Sequence, residues 1–323
     1  MAIRTAIIGL GIMGRRMLEQ MSLHPSFTVT AIWDPDSAAC KAAQDLIPDA
    51  EIAQNAQAAL ETADLVYMAC PPVPRKAYAL AAAAAGKAIF LEKPLGVDIK
   101  ESQEMVAAIA ASGVPAAVNF TQAAGPALSE VTQAAQSGAL GALMGADIVL
   151  TYANWPREWQ KAADWLRFRA EGGMTREVMS HFLFFSERIL GPLKLVWARS
   201  EYPVQADLCE THVAARLLSA TGVPVTVMGS VGGAQPDHQV VTIKGAKASR
   251  RISDFYRNAA STGGPFEPVQ AEGVDQRGAS LNAQLDDLAL LVAGQPNRLA
   301  TLQEALRVQV LVERILVSDE AGL

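Results

Sequence analysis

Gly9-Leu10-Gly11-Ile12-Met13-Gly14 is the first stretch whose residue types and spacing could do chemistry. It lies between an apolar, β-branched run and a helical pattern, the setting in which G-x-G-x-x-G cradles a pyrophosphate. Gly9 permits the tight turn, Gly11 lets the backbone approach the phosphates, and Gly14 lets helix and strand pack closely. With Leu10, Ile12 and Met13 between them, these residues offer N–H groups and the positive end of a helix dipole to an anion. Asp34 closes the next strand pattern about 20 residues on, where a carboxylate meets the adenosine ribose. It accepts bonds from ribose hydroxyls and repels a 2′-phosphate, and no Arg or Lys follows before Lys41. The spacing therefore predicts NAD, with NADP less favoured. Asp34-Pro35 or Asp36 also reads as a helix N-cap, and both readings can hold, with Asp36 capping and Asp34 binding.

Phe90-Leu91-Glu92-Lys93-Pro94 ends a later strand pattern. In open α/β sheets ligands sit at the carboxyl ends of strands, so Lys93 is placed to hold a reacting oxygen or shuttle a proton. His181 lies in a helical stretch with Val178, Phe182 and Phe185 on its apolar side, which reads either as a packed core histidine or as an acid–base group. Glu177, four residues earlier, shares its helix face and could orient the imidazole, bind a substrate hydroxyl, or serve first-turn helix electrostatics. Trp155, Trp159 and Trp165 fall within eleven positions of a chain with five tryptophans. With Arg157 and Arg167 they suit either a wall for a polar ring or a subunit interface.

These groups need elements to position them. Strand patterns at Thr5–Gly9, Thr28–Asp34, Leu65–Cys70, Ala88–Glu92 and Ala116–Phe120 alternate with helical stretches at Gly11–Ser22, Asp36–Leu46, Val73–Gly86 and Asp98–Ser112. A short strand is expected near Glu51–Ala53. Alternation of this kind predicts a doubly wound parallel sheet, a Rossmann α/β domain over residues 1–121. Beyond it strands follow strands, at Met144–Ala153, Leu193–Tyr202, Cys209–Ser219, Val223–Val231, Gln239–Lys244 and Arg250–Tyr256. Helices are expected at Pro126–Ser137, Thr175–Leu190, Leu281–Ala293 and Leu302–Leu316, and a loop over Ser261–Gly278. Residues 122–323 thus read as an α+β domain with a mostly antiparallel open sheet.

The 323 residues are half hydrophobic and 19% charged, enough to bury two cores and unlike a disordered chain. Twenty-seven basic against 33 acidic residues give −6, which argues against a nucleic-acid or anionic-membrane partner. Cys40, Cys70 and Cys209 are far apart, so neither a metal site nor a disulfide framework is expected, and the compartment reads as reducing and cytoplasmic. No apolar run is long enough to span a membrane. Arg15 and Arg16 occupy the place where a signal peptide would be cleaved.

The glycine turn, Asp34, Ala69-Cys70-Pro71-Pro72, Ala85-Gly86-Lys87, Glu92-Lys93-Pro94, Gly138-Ala139-Leu140-Gly141, and Gly172-Gly173 through His181 together resemble the glucose-fructose oxidoreductase / inositol dehydrogenase / rhizopine-catabolism (Gfo/Idh/MocA) family. The resemblance covers most of the chain. It implies a two-domain, NAD(P)-dependent oxidoreductase that moves a hydride between nicotinamide and a hydroxyl or carbonyl carbon of a small polyhydroxylated substrate, a sugar, cyclitol or derivative. It implies Lys93 and His181 as catalytic groups with Glu177, a position usually Asp in the family, and His181 as the likelier general base. It adds Cys70, Pro71, Pro72, Arg75, Glu92, Trp165 and Arg167 to the cofactor site, and Asn119, Trp155, Arg157 and Arg176 to the substrate site. It implies a homodimer or homotetramer through the second sheet. Arg75 stands where relatives often carry a histidine, and Asn119-Phe120 where many carry Arg-Phe, so the substrate is not that of the familiar sugar dehydrogenases. Two other functions are compatible: glycoside cleavage through transient oxidation by retained NAD, and a non-catalytic nucleotide-binding regulator.

Overall fold

The computed structural model describes residues 2–269 and 275–318. The chain forms two compact units, Met1–Phe120 with Leu281–Leu306, and Thr121–Ser280 with Arg307–Leu323. Sequence reading divides the chain once, at 121/122. The structure divides it three times, because the carboxyl-terminal helices serve both units in turn.

In the first unit β1 (Ile3–Ile8), β2 (Phe27–Trp33), β3 (Glu51–Ile52), β4 (Leu65–Met68), β5 (Ala88–Glu92) and β6 (Ala116–Asn119) form one sheet. Its order is β3-β2-β1-β4-β5-β6, and every pairing is parallel. β4 and β5 are buried at every residue, as strands covered on both faces must be. The crossovers are α1 (Ile12–Leu23), α2 (Ser37–Gln44), α3 (Ala56–Glu61), α4 (Pro72–Ala84) and α5 (Ile99–Ser112). The sequence reading lacks α3, a six-residue helix too short to show periodicity; its one local signal is Asn55, which caps Ala58 N–H at 2.9 Å. Strand order reverses between β1 and β4, so the glycine turn after β1 and Cys70 after β4 flank the switch point. Leu285, Leu288 and Leu299 complete the core around Ile7, Leu10 and Met17, and Ala300 accepts the Val118 N–H at 2.9 Å.

The second unit opens with α6 (Pro126–Gln136) and β7 (Leu143–Tyr152). A π-helical turn, Thr175–Met179, runs into α7 (Ser180–Leu190). Then come β8 (Leu193–Glu201), β9 (His212–Ser219), β10 (Pro224–Val231), β11 (His238–Gly245), β12 (Ser249–Ser253), β13 (Arg257–Ser261) and β14 (Glu267–Pro268). The sheet order is β14-β13-β12-β11-β7-β10-β9-β8. Only β7 and β10 pair in parallel; the other pairings are antiparallel. The run expected to continue as a strand to Tyr256 instead turns after Ser253 into a hairpin. The expected loop Ser261–Gly278 contains β14 and the start of α8 (Gln276–Val292); its residues 270–274 lie outside the described ones. Along β9 and β10, Val213, Ala215, Leu217, Val225 and Val227 are buried on alternate positions, while Met228 on β10 and Trp197 on β8 are exposed. Among the described residues no helix is long and apolar enough to cross a membrane.

Arg176 and Glu313 form a buried bidentate pair, Nε and Nη2 each 2.7 Å from a carboxylate oxygen, fastening α9 (Leu302–Val317) to the π turn. The guanidinium is further satisfied by the carbonyls of Arg169 and Gly172 at 2.7 and 3.0 Å. Breaking a buried pair on one side strands the other charge. Glu313→Ala is therefore expected to lower unfolding free energy by about 3 kcal/mol or more, read by urea denaturation against Arg307→Ala, whose partner contact to Glu187 is half-exposed on the arginine side.

Candidate active site

The dinucleotide end is built by glycines with different duties. Gly9 has φ +94°, and a Cβ there would lie 2.5 Å from Cys70 N. A Cβ on Gly14 would lie 1.9 Å from the Gly9 carbonyl oxygen. Both are demanded by the fold itself. Gly11, the N-cap of α1, has an ordinary φ of −65° and no side-chain cap, and its Cβ would meet nothing within 4 Å. Neither backbone conformation nor protein packing calls for glycine at 11, and the open space beside it fits the close approach of a diphosphate.

Asp34 receives Leu10 N–H on Oδ2 at 2.7 Å and Asp36 N–H on Oδ1 at 2.9 Å. Asp36, with its Oδ1 on Ala38 N–H at 2.9 Å, is the cap of α2. The cap is therefore Asp36, while Asp34 accepts two backbone N–H groups and keeps about two further acceptor sites. The Leu10 N–H is spent on Asp34.

Four residues expected to touch ligands are engaged inside the protein. Arg75 is 2% exposed. It donates to the Glu92 carbonyl at 2.6 Å and to the carbonyls of Pro94 and Cys70, tying together the ends of β4 and β5. Glu92 is buried and accepts from the Tyr67 hydroxyl and the Asn119 amide. Asn119 is fully buried, its Oδ1 receiving Gln284 Nε2 at 2.7 Å. Arg176 is turned to Glu313. What this network leaves at the strand end is Lys93, half-buried, its N–H 3.2 Å from Glu92 Oε2. Burial pushes the Glu92 carboxyl above its usual range, and the Lys93 charge is foremost among the influences drawing it back. Cys70, Pro71 and Pro72 close the same strand end, Pro72 opening α4.

In the second unit His181 lies in the first turn of α7, 4% exposed, its ring edge-on to Phe255 with centroids 5.2 Å apart. Glu177 Oε1 accepts from Gln160 Nε2 at 3.0 Å, and Gln160 Oε1 accepts from Arg157 Nε at 2.8 Å. The Arg157 guanidinium lies 4.7, 5.3 and 5.7 Å from the ring centres of Trp159, Tyr152 and Trp155. Trp155 is fixed by its Nε1 bond to the Leu166 carbonyl at 2.9 Å. Burial drives the Tyr152 phenol far above its ordinary range, so it stays neutral and donates to Gln239 at 2.8 Å. Trp165 and Arg167 lie in a 3₁₀ turn, Arg167 exposed and 3.3 Å from Asp164. A cavity of about 260 Å³ is walled by Leu128, Phe255, Tyr256, Gln122 and Gln276. Sequence reasoning missed Tyr67, Gln160, Gln284 and Phe255, none of which belongs to a motif. Among the described residues no cluster of three His, Cys, Asp or Glu side chains could hold a metal ion.

Residues 3–120 match the Gfo/Idh/MocA oxidoreductase family, NAD-binding Rossmann fold. The likeness is to that family's NAD-binding segment and spans a little over a third of the chain. Within that match lie the glycine turn, Asp34 and Lys93. D-apiose dehydrogenase of Paraburkholderia graminis is 30% identical over 138 residues, 42% of this chain and 37% of that protein. The uncharacterized oxidoreductase YrbE of Bacillus subtilis is 27% identical over 139 residues, 42% of this chain and 41% of that protein. The matched stretches thus span about two fifths of these relatives. Levoglucosan dehydrogenase, solved with NADH and L-sorbose, superposes with TM-score 0.85 over 99% of this chain and 97% of that one at 17% identity. The fold of that structure is therefore shared along the whole length.

Gly11→Ala is expected to keep unliganded stability within about 1 kcal/mol while weakening NADH binding at least tenfold, whereas Gly14→Ala loses both; thermal melts and NADH fluorescence titration read the two. The raised Glu92 carboxyl gives a second prediction. The folded state holds this proton after the unfolded chain has released it, so stability falls as pH rises through and above the ordinary carboxylate range. Glu92→Gln is expected to flatten that part of the stability–pH curve, measured by denaturant unfolding at successive pH values.

Proposed function

We propose that the chain is an NAD-dependent dehydrogenase acting on a hydroxyl-bearing carbon of a small polyhydroxylated substrate, a sugar, cyclitol or derivative. The observation that carries this reading is the shared carboxyl edge of the first sheet. There the glycine that the fold does not require, the ribose-directed Asp34 and Lys93 follow β1, β2 and β5. The sugar class is supported by the relatives, one named for D-apiose and one solved with L-sorbose.

The glycine turn and Asp34 would hold NAD, which when bound would supply the hydride acceptor. His181 takes the hydroxyl proton, since an imidazole titrates near neutrality. The Lys93 ammonium is the group that stabilises negative charge developing on a substrate oxygen. Lys93 is held for this by the Glu92–Tyr67–Asn119 network beneath it. Glu177 orients the imidazole or binds a neighbouring hydroxyl, itself held by Gln160. Trp155 offers a flat face to ring C–H groups and Arg157 offers donors to hydroxyl or carboxylate. The exposed Trp197 and Met228 on the second sheet form the contact of a homodimer or homotetramer. The buried free thiols of Cys40, Cys70 and Cys209 suit the cytoplasm.

The test is NADH formation across a panel of sugars and cyclitols. With the substrate so found, His181→Asn and Lys93→Met are each expected to lower kcat by roughly 10²–10⁴-fold and to leave NADH affinity within a few-fold. An unchanged kcat in His181→Asn removes the imidazole from the reaction.

A further inference from the structure

Phe255 stands where a hairpin calls for glycine. β12 and β13 are joined through Ser253–Tyr256, closed by Tyr256 N–H on the Ser253 carbonyl at 3.2 Å. Both central residues have positive φ, +49° at Asp254 and +68° at Phe255. Turns of this hand are usually Asp-Gly or Asn-Gly, because a Cβ resists the conformation. Asp254 meets that preference. A phenylalanine at φ +68° does not, and a bulky residue there is a true outlier. Such strain persists where the surroundings require it, and it gathers at functional sites.

The surroundings here are His181 and Phe182. The Phe255 ring is 5.2 Å from the imidazole at 88° and 5.1 Å from the Phe182 ring at 29°. The turn is anchored by Gln122, 2% exposed, whose Nε2 donates to the Phe255 carbonyl at 3.1 Å. Core filling does not account for the ring, which is half-buried and borders the 260 Å³ cavity. An imidazole rotates about a broad, roughly twofold χ2, and a half-turn exchanges nitrogen for carbon at every ring position. An aromatic ring packed edge-to-face against it takes away the room for that swing.

We propose that Phe255 is a positioning residue that holds the His181 imidazole in one orientation, and that the strained turn is kept for this purpose. The proposal rests on the reading of His181 as the proton-handling group. Phe255→Gly separates the ring from the turn, since Asp-Gly is the pair the turn prefers. The variant is expected to melt at or near the wild-type temperature. The chain has four histidines, so the His181 ring signals are assigned in an NMR spectrum by their loss in His181→Asn. In Phe255→Gly they are expected to leave their ring-current-shifted positions and broaden. With the substrate from the panel, kcat is expected to fall roughly 10- to 100-fold with NADH affinity unchanged, and Phe255→Tyr to restore both signals and kcat. Phe255→Leu, which keeps apolar bulk, gives the same NMR change should the glycine variant not fold. Unchanged His181 signals in the glycine or leucine variant overturn the proposal, as does an unchanged kcat where His181→Asn is inactive. Should His181→Asn retain kcat, the functional reading fails on its own and the NMR signals alone decide whether Phe255 holds the ring.

Discussion

The candidate site depends on one close approach: the backbone of the glycine turn lies against the ends of two neighbouring strands with no room for a side chain. Gly9 abuts Cys70 at the end of β4, and Gly14 packs on the Gly9 carbonyl. That proximity brings Leu10 N–H within 2.7 Å of the Asp34 carboxylate at the end of β2. Helix α1 then starts at the switch point, with its first N–H groups unspent by the helix itself. A Cβ at 9 or 14 would move all of these together. A Cβ at 11 would move none of them, so the fold itself does not require that glycine.

The same economy governs the neighbouring strand ends. A buried carboxyl such as Glu92 is costly unless its oxygens are occupied. Tyr67, Asn119 and the Lys93 N–H occupy them, and Gln284 from the returning carboxyl-terminal segment holds Asn119 in turn. Arg75 crosslinks the carbonyls of Cys70, Glu92 and Pro94. The strand ends are thereby rigid, and a flexible lysine stem has a fixed base from which to work. The network crosses the whole chain in sequence, from residue 67 to residue 284, so the first unit is incomplete without the segment that returns to it.

Much of this was legible in the residues. Strand–helix alternation and the glycine turn specify the doubly wound sheet, because buried parallel strands are written as apolar runs such as Leu65–Met68. Asp34 and Asp36 were both readable, and the coordinates were needed to show that the cap is Asp36. Three residues expected at ligands have side chains engaged inside the protein, and they share a feature. Arg75, Asn119 and Arg176 are polar residues near motifs, and a motif reports which residues are close to the chemistry, not whether their side chains face outward or are consumed within. Gln284 and Glu313 are more than a hundred residues from their partners, a distance over which no local pattern carries information. Phe255 was invisible for another reason: positive φ is inferred from glycine, and here the glycine is absent.

Arg176 and Glu177 show how narrow the margin is between structure and function. They are adjacent, oppositely charged and in one helical turn, yet successive side chains on a helix point about 100° apart. Arg176 is carried to Glu313 and becomes a fastening for α9. Glu177 is carried to Gln160 and, through it, to Arg157 among its aromatic rings. The π-helical geometry of Thr175–Met179 widens this turn just before His181, and such insertions recur where a helix must re-aim a side chain for function. Moved by one residue, the turn would carry Arg176 away from Glu313 and leave α9 unfastened. The register of that single turn therefore secures the second unit.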